Sequence, residues 1–243
     1  MAQNIYDDPG FFDGYSALPR SVKGLDGAAE WPVLLTMLPS MADRAVVDLG
    51  CGFGWFCRWA ADAGASTVLG VDLSENMLAR ARRDTTDPRI SYEQCDLDQL
   101  ELPAAQFDFA YSSLTLHYLT DLPRLFRTVH QSLRPGAEFV FSAEHPICTA
   151  PSNPQFVAGP RGNQCWPVDG YLREGARTTH WLAPGVVKQH RTIATYLTDL
   201  LAAGFELTSF VEWGPSAEQI RQVPEWEVEL ERPYFLLVGA RRA

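Results

Sequence analysis

A short strand that runs into a glycine-rich loop constrains the fold of this chain more than any other feature. The segment Ala45–Leu49 is mostly apolar, and Gly50, Gly52 and Gly54 follow it before a helical stretch begins at Trp55. Glycines at a strand-to-helix turn let the backbone bend sharply and let a ligand approach without a Cβ in the way. The exposed N–H groups and the helix N-terminus favour an anionic group on that ligand. The pattern therefore predicts a ligand site in an α/β fold.

Apolar, β-type runs alternate with helical stretches through the first 145 residues, as is typical of a parallel sheet. Five strands are expected in this part, at Ala45–Leu49, Thr67–Asp72, Ile90–Cys95, Phe107–Ser112 and Glu138–Ala143. Helices are expected at Gly27–Leu38, Trp55–Ala63, after Ser74, at Leu122–Leu133 and at Thr192–Ala203. Two more strands, Glu206–Glu212 and Tyr234–Ala240, are expected to form an antiparallel hairpin at the sheet edge. The predicted fold is a doubly wound, mostly parallel, seven-stranded Rossmann-like α/β sheet.

The regular alternation stops after the fifth strand. From His145 to about Gly185 the chain is rich in Pro, Gly, Asn, Trp and Tyr, with little periodicity. A stretch of that length without regular structure inside a domain is usually a functional insertion. We therefore expect a helical N-terminal cover (1–40), a ligand-binding domain (41–144 and 192–243) and a substrate lid (145–191).

Charge and composition disfavour several classes of partner. The 20 basic and 30 acidic residues give a net charge of −10, which disfavours nucleic acid and anionic lipid. No apolar run reaches the roughly 18 residues that a membrane span needs, and no signal peptide is recognisable. The five cysteines form no C-x-x-C pair, so we expect reduced thiols in a cytoplasmic protein and no metal site.

Three acidic residues end three successive strands of the predicted sheet: Asp48, Asp72 and Asp96. The carboxyl ends of parallel strands meet at one edge of the sheet, where ligands bind in such folds. A carboxylate at Asp72 could accept both O–H groups of a ribose, and one at Asp96 an exocyclic amine. Strand-end aspartates can also simply cap loops, but three beside a glycine loop favour a nucleotide-type cofactor.

The spacing Asp48-x-Gly50-x-Gly52-x-Gly54 differs from the G-x-G-x-x-G of dinucleotide sites and resembles the first motif of the class I S-adenosylmethionine-dependent methyltransferases. The resemblance continues through Val71–Leu78, Cys95–Leu97, Phe107–Leu114 and Leu133–Gly136, and covers about residues 40–145. It is nearest to the small-molecule group that includes the ubiquinone/menaquinone C-methyltransferases. It implies S-adenosylmethionine as cofactor and methyl transfer to a small-molecule acceptor as activity.

The resemblance also implies roles for individual residues. Gly50 and Gly52 would face the methionine moiety, Cys51 between them would also contact the cofactor, and Asp48 would hold the amino group. Asp72 would bind the ribose, while Leu73, Met77, Asp96 and Leu97 would surround the adenine. Ser112 would lie near the methyl group. The segment Tyr15–Ser21 would close over the cofactor, with Tyr15 against it and Arg20 pairing with its carboxylate.

Catalysis of methyl transfer can come largely from positioning, so no base is required, but three histidines are candidates. His117 follows the fourth strand, His145 follows the fifth beside Glu144, and His190 opens the last long helix. Trp166, Tyr171 and Arg191 are the predicted substrate contacts, with Arg173, Trp181 and Lys188 as further candidates for the pocket wall. A lid with its own small core is the alternative for these residues.

Other functions remain open from the sequence. A non-catalytic protein that binds or senses S-adenosylmethionine would show the same motifs, and a nicotinamide-dependent oxidoreductase could use the same sheet. A protein side chain as acceptor would favour an open pocket. The atom that is methylated and the oligomeric state are not determined by the sequence.

Overall fold

The computed structural model describes residues 3–160 and 162–243; Met1 and Ala2 of the predicted cover and Arg161 of the predicted lid lie outside them. The α-helices are α1 (Pro9–Ser16), α2 (Pro19–Val22), α3 (Trp31–Met37), α4 (Trp55–Asp62), α5 (Glu75–Arg83), α6 (Leu122–Ser132), α7 (Pro146–Thr149), α8 (Ile193–Ala202) and α9 (Ala217–Gln222). The strands are β1 (Ala45–Leu49), β2 (Thr67–Asp72), β3 (Ile90–Gln94), β4 (Phe107–Ser113), β5 (Leu133–Glu144), β6 (Val157–Ala158), β7 (Gln164–Cys165), β8 (Gly175–Thr179), β9 (Val186–His190), β10 (Phe205–Trp213) and β11 (Phe235–Arg242). Short 3-10 helices occur at Ile5–Asp7, Gly24–Gly27, Leu116–Tyr118 and Pro224–Glu231.

Seven strands form the main sheet in the order β10-β11-β5-β4-β1-β2-β3. The pairs among β1 to β5 are parallel, whereas β11 runs antiparallel to both β5 and β10. The predicted Rossmann-like sheet and its antiparallel C-terminal pair are therefore confirmed. The last strand, β11, lies inside the sheet and β10 forms the edge, so the connection from β5 to β10 passes over the position that β11 occupies.

The two faces of the sheet bury separate apolar clusters. On one face, α6 presents Leu122, Leu125, Phe126 and Val129, whose spacing of three and four residues places them on one side of the helix. On the other face, α3 and α4 pack against β1 and β4, and the ring of Phe56 stacks on that of Tyr111 with centroids 3.7 Å apart. Each large side chain buried in this way stabilises the fold by about 1.5–3 kcal/mol.

The predicted lid contains more regular structure than its sequence indicates. Strands β8 and β9 form an antiparallel hairpin, and β6 and β7 form a second, shorter pair. In β9 the inward positions are Val186, Lys188 and His190, so two of the three buried side chains are polar. The expectation of an irregular segment was wrong here because a period-two pattern with Lys and His on its buried face is not recognisable as an apolar alternation.

The N-terminal part of the chain joins this hairpin to the main sheet. The side chain of Gln3 donates to the carbonyl of Gly185 and accepts from the backbone N–H of Val187 in β9.

The helix predicted at Gly27–Leu38 is α3, which begins at Trp31, four residues later than predicted, because a 3-10 turn precedes it. Within residues 3–160 and 162–243, no helix is both long and apolar enough to cross a membrane.

Candidate functional site

A cavity of about 430 Å³ lies at the carboxyl ends of the parallel strands, beneath the N-terminal segment and the β8–β9 hairpin. Nine of the twelve residues predicted to contact the cofactor line it: Tyr15, Arg20, Gly50, Gly52, Asp72, Leu73, Met77, Asp96 and Leu97. A smaller cavity of about 90 Å³ shares part of this lining and adds Asp48 and Cys51. One cavity edge thus brings together residues that are up to about eighty positions apart in the sequence.

The glycine loop after β1 has the geometry that its sequence predicts. Gly50 and Gly52 have φ angles of 78° and 52°, in the region that glycine adopts most readily. A Cβ on Gly50 would lie 2.2 Å from Oγ1 of Thr115, so no larger residue fits there. A Cβ on Gly52 would meet no atom within 4 Å, because this glycine faces the open cavity. The loop can therefore let a ligand contact the backbone at Gly52.

The carboxylate of Asp72 joins the second strand to this loop. One oxygen accepts from the backbone N–H of Gly52 at 2.8 Å, and the other accepts from that of Ser74 at 2.9 Å. Burial raises the pKa of Asp72 above its ordinary value, although these N–H groups oppose the change. A carboxylate has about four lone-pair positions, so two acceptor positions remain for a ligand hydroxyl pair.

The Asp96 carboxylate carries an acceptor that no described residue uses. Its Oδ1 accepts from the backbone N–H of Asp98 at 3.0 Å, whereas its Oδ2 is buried without a hydrogen-bond partner in the described chain. A buried polar atom left unpaired costs about 1–3 kcal/mol, so a ligand donor at this point would be stabilising. The apolar side chains of Leu97 and Met77 line the cavity beside it. This combination fits the amine edge and the faces of an adenine ring.

Asp48 is almost completely buried beneath the glycine loop. The thiol of Cys57 donates to its Oδ2 at 3.3 Å. Burial raises the pKa of Asp48 to about 7, and the nearby charge of Asp72 acts in the same direction. A cationic group of a ligand in the adjoining cavity would favour the ionised carboxylate.

Arg20 already has an acidic partner in the chain. Its Nη2 donates to both carboxylate oxygens of Glu30, at 2.8 and 2.9 Å, and Glu30 is fully buried. The pair holds the guanidinium of Arg20 at the boundary of both cavities. Pairing of Arg20 with a cofactor carboxylate therefore stays a prediction, in competition with Glu30.

Ser112 does not face either cavity. Its hydroxyl is fully buried and donates to the carbonyl of Leu49 at 2.7 Å. Successive residues of a strand point to opposite sides, and it is the next residue, Ser113, that lines the cavity. The structure therefore corrects the predicted position by one residue.

His117 lines the cavity, but its ring is not arranged as a general base. Its Nδ1 accepts from the backbone N–H of Glu144 at 3.3 Å. Burial, together with the charges of Lys188 and Arg191, lowers the pKa of His117 well below its ordinary value, so the ring is neutral. A neutral imidazole that accepts at Nδ1 carries its proton on Nε2. His117 can thus donate a hydrogen bond into the cavity and has no free nitrogen to accept a proton.

The other two histidines lie outside the cavity and hold local structure. His145 accepts from the backbone N–H of Ile147 through Nδ1, and its Nε2 lies 3.0 Å from Glu212. His190 is fully buried, with Nδ1 at 2.8 Å from the hydroxyl of Thr149 and Nε2 donating to a backbone carbonyl of the lid. Neither position supports the predicted role in proton transfer.

The three predicted substrate contacts also lie away from the cavity lining. The indole of Trp166 donates to the carbonyl of Ile147, and the guanidinium of Arg232 lies 3.9 Å from the centroid of its ring. The hydroxyl of Tyr171 accepts from the backbone N–H of Ile193 at the start of α8. The guanidinium of Arg191 donates to the backbone carbonyl of Leu119. Each of the three therefore has a separate partner, and none of them is among the residues that line the cavity.

Trp181 and Lys188, also proposed for the pocket wall, do line the cavity. Sequence reasoning missed a group of mostly aromatic residues that complete the same end, namely Tyr6, Tyr118, Trp213, Trp226, Glu229, Tyr234 and Phe235. Sequence reasoning also assigned no role to Glu144, although this residue ends β5 in the same way that Asp72 ends β2. The rule that identified the three aspartates could have identified this carboxylate.

The N-terminal segment is fastened over the cavity at two places. Asp7 accepts from the hydroxyl of Ser74 and from the backbone N–H of Asn76 at the start of α5, and Gln3 binds the β8–β9 hairpin. Tyr6, between these two contacts, lines the cavity. In the described ranges, no cluster of three or more His, Cys, Asp or Glu side chains could hold a metal ion.

Comparisons with known proteins assign the chain to a family. The family described as "Methyltransferase domain" matches residues 47–141. A crystal structure of an S-adenosylmethionine-dependent methyltransferase from Mesorhizobium loti is 58% identical, with a TM-score of 0.88 over 90% of this chain and 100% of that one. A Listeria monocytogenes structure is 40% identical, with a TM-score of 0.80 over 88% of this chain and 98% of that one.

Curated relatives match either the whole chain or its central part. An uncharacterized Haemophilus influenzae protein is 31% identical over 98% of this chain and 97% of its own length. A malonyl-[acyl-carrier protein] O-methyltransferase of Enterobacter lignolyticus is 35% identical, but over 45% of this chain and 42% of its own. A trans-aconitate 2-methyltransferase of Deinococcus radiodurans is 35% identical over 49% of this chain and 48% of its own. With the sheet order and the glycine loop, these matches show that the chain is an enzyme of the class I S-adenosylmethionine-dependent methyltransferase family, with S-adenosylmethionine as its cofactor.

Proposed function

We propose that this enzyme transfers the methyl group of S-adenosylmethionine to a small molecule that binds in the same cavity as the cofactor. The observation that carries the proposal is the extent of that cavity. It runs from Asp72 and Asp96 at one end to Glu144 and Tyr234 at the other, with the glycine loop between them. One end is suited to a nucleoside and the other is left for an acceptor.

The strand order gives the two ends their separate roles. Asp72 ends β2 and Asp96 follows β3, which lie on one side of β1. Asp72 would accept the ribose hydroxyls and Asp96 an adenine amine, and the loop at Gly52 would lie along the methionine part. Glu144 ends β5, on the opposite side of β1, so an acceptor there would approach the methyl group from the side away from the adenine.

The bound cofactor would supply an electrophilic methyl group on a sulfonium. The residues of this chain would position the nucleophile and exclude water, which can account for a large part of the rate of such a transfer. The N-terminal segment, held by Asp7 and Gln3, and the β8–β9 hairpin both cover the cavity. No histidine is needed as a base in this arrangement.

The covered cavity favours a small acceptor over a macromolecular one. The volume of about 430 Å³ lies within the range of small-molecule sites, which is about 300–1,000 Å³. The name of the Deinococcus relative specifies a small acid as acceptor. The Enterobacter relative acts on a group borne by a carrier protein, but it matches less than half of either chain. The likeness to the ubiquinone/menaquinone enzymes stays a prediction.

Calorimetric titration tests the cofactor half of this proposal first. S-adenosylmethionine and S-adenosylhomocysteine should bind with micromolar dissociation constants, whereas NAD and NADP should not bind. Panels of small acceptors would then be screened by mass spectrometry for a methylated product. Tight cofactor binding with no transfer to any acceptor would favour a sensing protein and contradict the proposed activity.

A further inference from the structure

Three polar side chains converge at the acceptor end of the cavity. Glu144 ends β5, and its Oε2 forms an ion pair with Nζ of Lys188, which comes from the lid strand β9. The same oxygen lies 3.9 Å from Nε2 of His117. All three line the cavity and are largely buried, with side-chain exposures of 15%, 10% and 4% for Glu144, Lys188 and His117.

The proton positions of this cluster follow from its hydrogen bonds. Nδ1 of His117 accepts from the backbone N–H of Glu144, so Nε2 carries the proton of the neutral ring. Lys188 contributes a second N–H donor to the same space. The cluster therefore offers one carboxylate acceptor and two N–H donors, and its ion pair adds no net charge.

The walls around this cluster are aromatic. Nζ of Lys188 lies 5.2 Å from the centroid of the Trp181 ring, and the hydroxyls of Tyr6 and Tyr118 are 3.5 Å apart. Tyr234, just before β11, and Phe235, its first residue, also line the cavity. Flat, apolar walls with a polar end favour a planar ligand that carries its polar group at one edge.

We propose that the methyl acceptor is a planar compound with an acidic hydroxyl group, a phenol or an enol, and that Glu144 and Lys188 bind this hydroxyl and activate it. The inference deepens the proposed function and rests on it. The hydroxyl donates to the carboxylate of Glu144 and accepts from the ammonium of Lys188, so both members of the ion pair bind it.

The transfer step balances with these groups alone. The hydroxyl oxygen forms a bond to the methyl carbon, and the bond from that carbon to sulfur breaks with its electron pair remaining on sulfur. The hydroxyl proton passes to the carboxylate of Glu144, and the ammonium of Lys188 stabilises the negative charge that develops on the oxygen. The products are the methyl ether and neutral S-adenosylhomocysteine.

Two other acceptor classes fit the cluster less well. The ammonium form of an amine would be repelled by Lys188, and its N–H groups would find one carboxylate already in an ion pair. A carboxylate acceptor would be repelled by Glu144 and also by Glu229, which lines the cavity farther along. A neutral hydroxyl satisfies both the donor and the acceptor without a like charge nearby.

Binding of three matched probes to the protein saturated with S-adenosylhomocysteine tests this inference. The probes are para-nitrophenol, para-nitrobenzylamine and para-nitrobenzoate. Their binding is measured by calorimetry and by the tryptophan fluorescence of the cavity at about pH 6, where the phenol is neutral, the amine is protonated and the benzoate is ionised. We expect para-nitrophenol to bind at least about tenfold more tightly than the other two. Tighter binding of the amine or of the benzoate, or no binding of any probe, would overturn the proposal.

Substitutions then test the two named side chains. Glu144→Gln and Lys188→Met should each weaken para-nitrophenol binding by about tenfold or more, while Lys188→Arg should keep most of it. Glu212→Gln is the matched control, because its carboxylate contacts His145 outside the cavity. Unchanged phenol affinity in Glu144→Gln would contradict the inference. Affinity for S-adenosylhomocysteine is measured on the wild type and on every variant. If the wild type does not bind S-adenosylhomocysteine, the proposed function itself is refuted.

Discussion

Asp72 accepts a hydrogen bond from the backbone N–H of Gly52 at 2.8 Å, which ties the end of β2 to the glycine loop after β1. The same carboxylate accepts from Ser74, the residue that caps α5. One side chain thus fixes the relative position of two backbone segments that line the cofactor cavity. Its loss would affect both the shape of the loop and the acceptor that we propose for the ribose.

We expect Asp72→Ala to lower the affinity for S-adenosylmethionine by about a hundredfold or more, because hydrogen bonds to a charged group contribute about 1.5–3 kcal/mol each. Calorimetric titration measures this change directly. Asp62→Asn serves as the control, since this residue is exposed at the end of α4. An affinity within threefold of the wild type would exclude Asp72 from the cofactor site.

The buried carboxylate of Asp48 should make the ligand-free protein less stable as pH rises. Burial raises its pKa to about 7 in the folded chain, whereas an unfolded aspartate titrates near 4. The folded state therefore binds this proton more tightly, and stability decreases as pH rises from about 4 to about 7. We expect Asp48→Asn to be more stable than the wild type by about 1–3 kcal/mol at pH 8 and to differ little near pH 4.

Thermal denaturation across this pH range measures the effect, with Asp62→Asn as the control because Asp62 is exposed at the end of α4. The same Asp48→Asn substitution should weaken S-adenosylmethionine binding, because the amino group of the cofactor would lose an anionic partner. A Tm difference that does not vary with pH would show that Asp48 is not protonated in the folded protein.

His190 should contribute to the lid and not to the reaction. Both of its ring nitrogens have partners within the lid region, and burial lowers its pKa below the ordinary value. A histidine with a lowered pKa stabilises the fold above about pH 6.5 and loses that contribution as pH falls. We expect His190→Ala to cost about 1–3 kcal/mol at pH 8, and less at pH 5.

Affinity for S-adenosylmethionine should stay within twofold in His190→Ala, and faster hydrogen exchange should be confined to β8 and β9. The exposed His180, in the turn of the same hairpin, provides the matched control as His180→Ala. A large loss of turnover at unchanged stability would instead restore His190 as a candidate for catalysis.

The parts of the fold that were predicted from the sequence are those with local signals. Apolar runs, the glycine loop and the strand-end aspartates each follow a short-range rule, so β1 to β4 were placed within one residue and Asp72 ends β2 as predicted. The fifth strand begins at Leu133, earlier than predicted, because it continues through Pro135 and Gly136. The β8–β9 hairpin was missed because Lys188 occupies a buried position, and its partner Glu144 lies in another element. A pairing of that kind leaves no periodic trace in the sequence.

The catalytic candidates show the same limit. The sequence did not distinguish the roles of His117, His145 and His190, because each of them simply follows or precedes a strand or helix. The partner of each ring nitrogen decides the role of a histidine, and here those partners are Glu144, Glu212 and Thr149. Contacts across 27 to 67 positions determine the outcome, and no spacing rule connects such pairs.

Asp96 should select for the amine of the adenine ring. Its Oδ2 is buried without a partner in the described residues, so a ligand donor there removes a cost of about 1–3 kcal/mol. S-inosylhomocysteine carries an oxygen in place of the amine, and that oxygen would face the carboxylate. We expect wild-type protein to bind it at least about thirtyfold more weakly than S-adenosylhomocysteine, and Asp96→Asn to reduce this ratio because the amide can donate to the oxygen. Parallel titrations of both nucleosides give the two ratios; a ratio unchanged by the substitution would place the adenine elsewhere in the cavity.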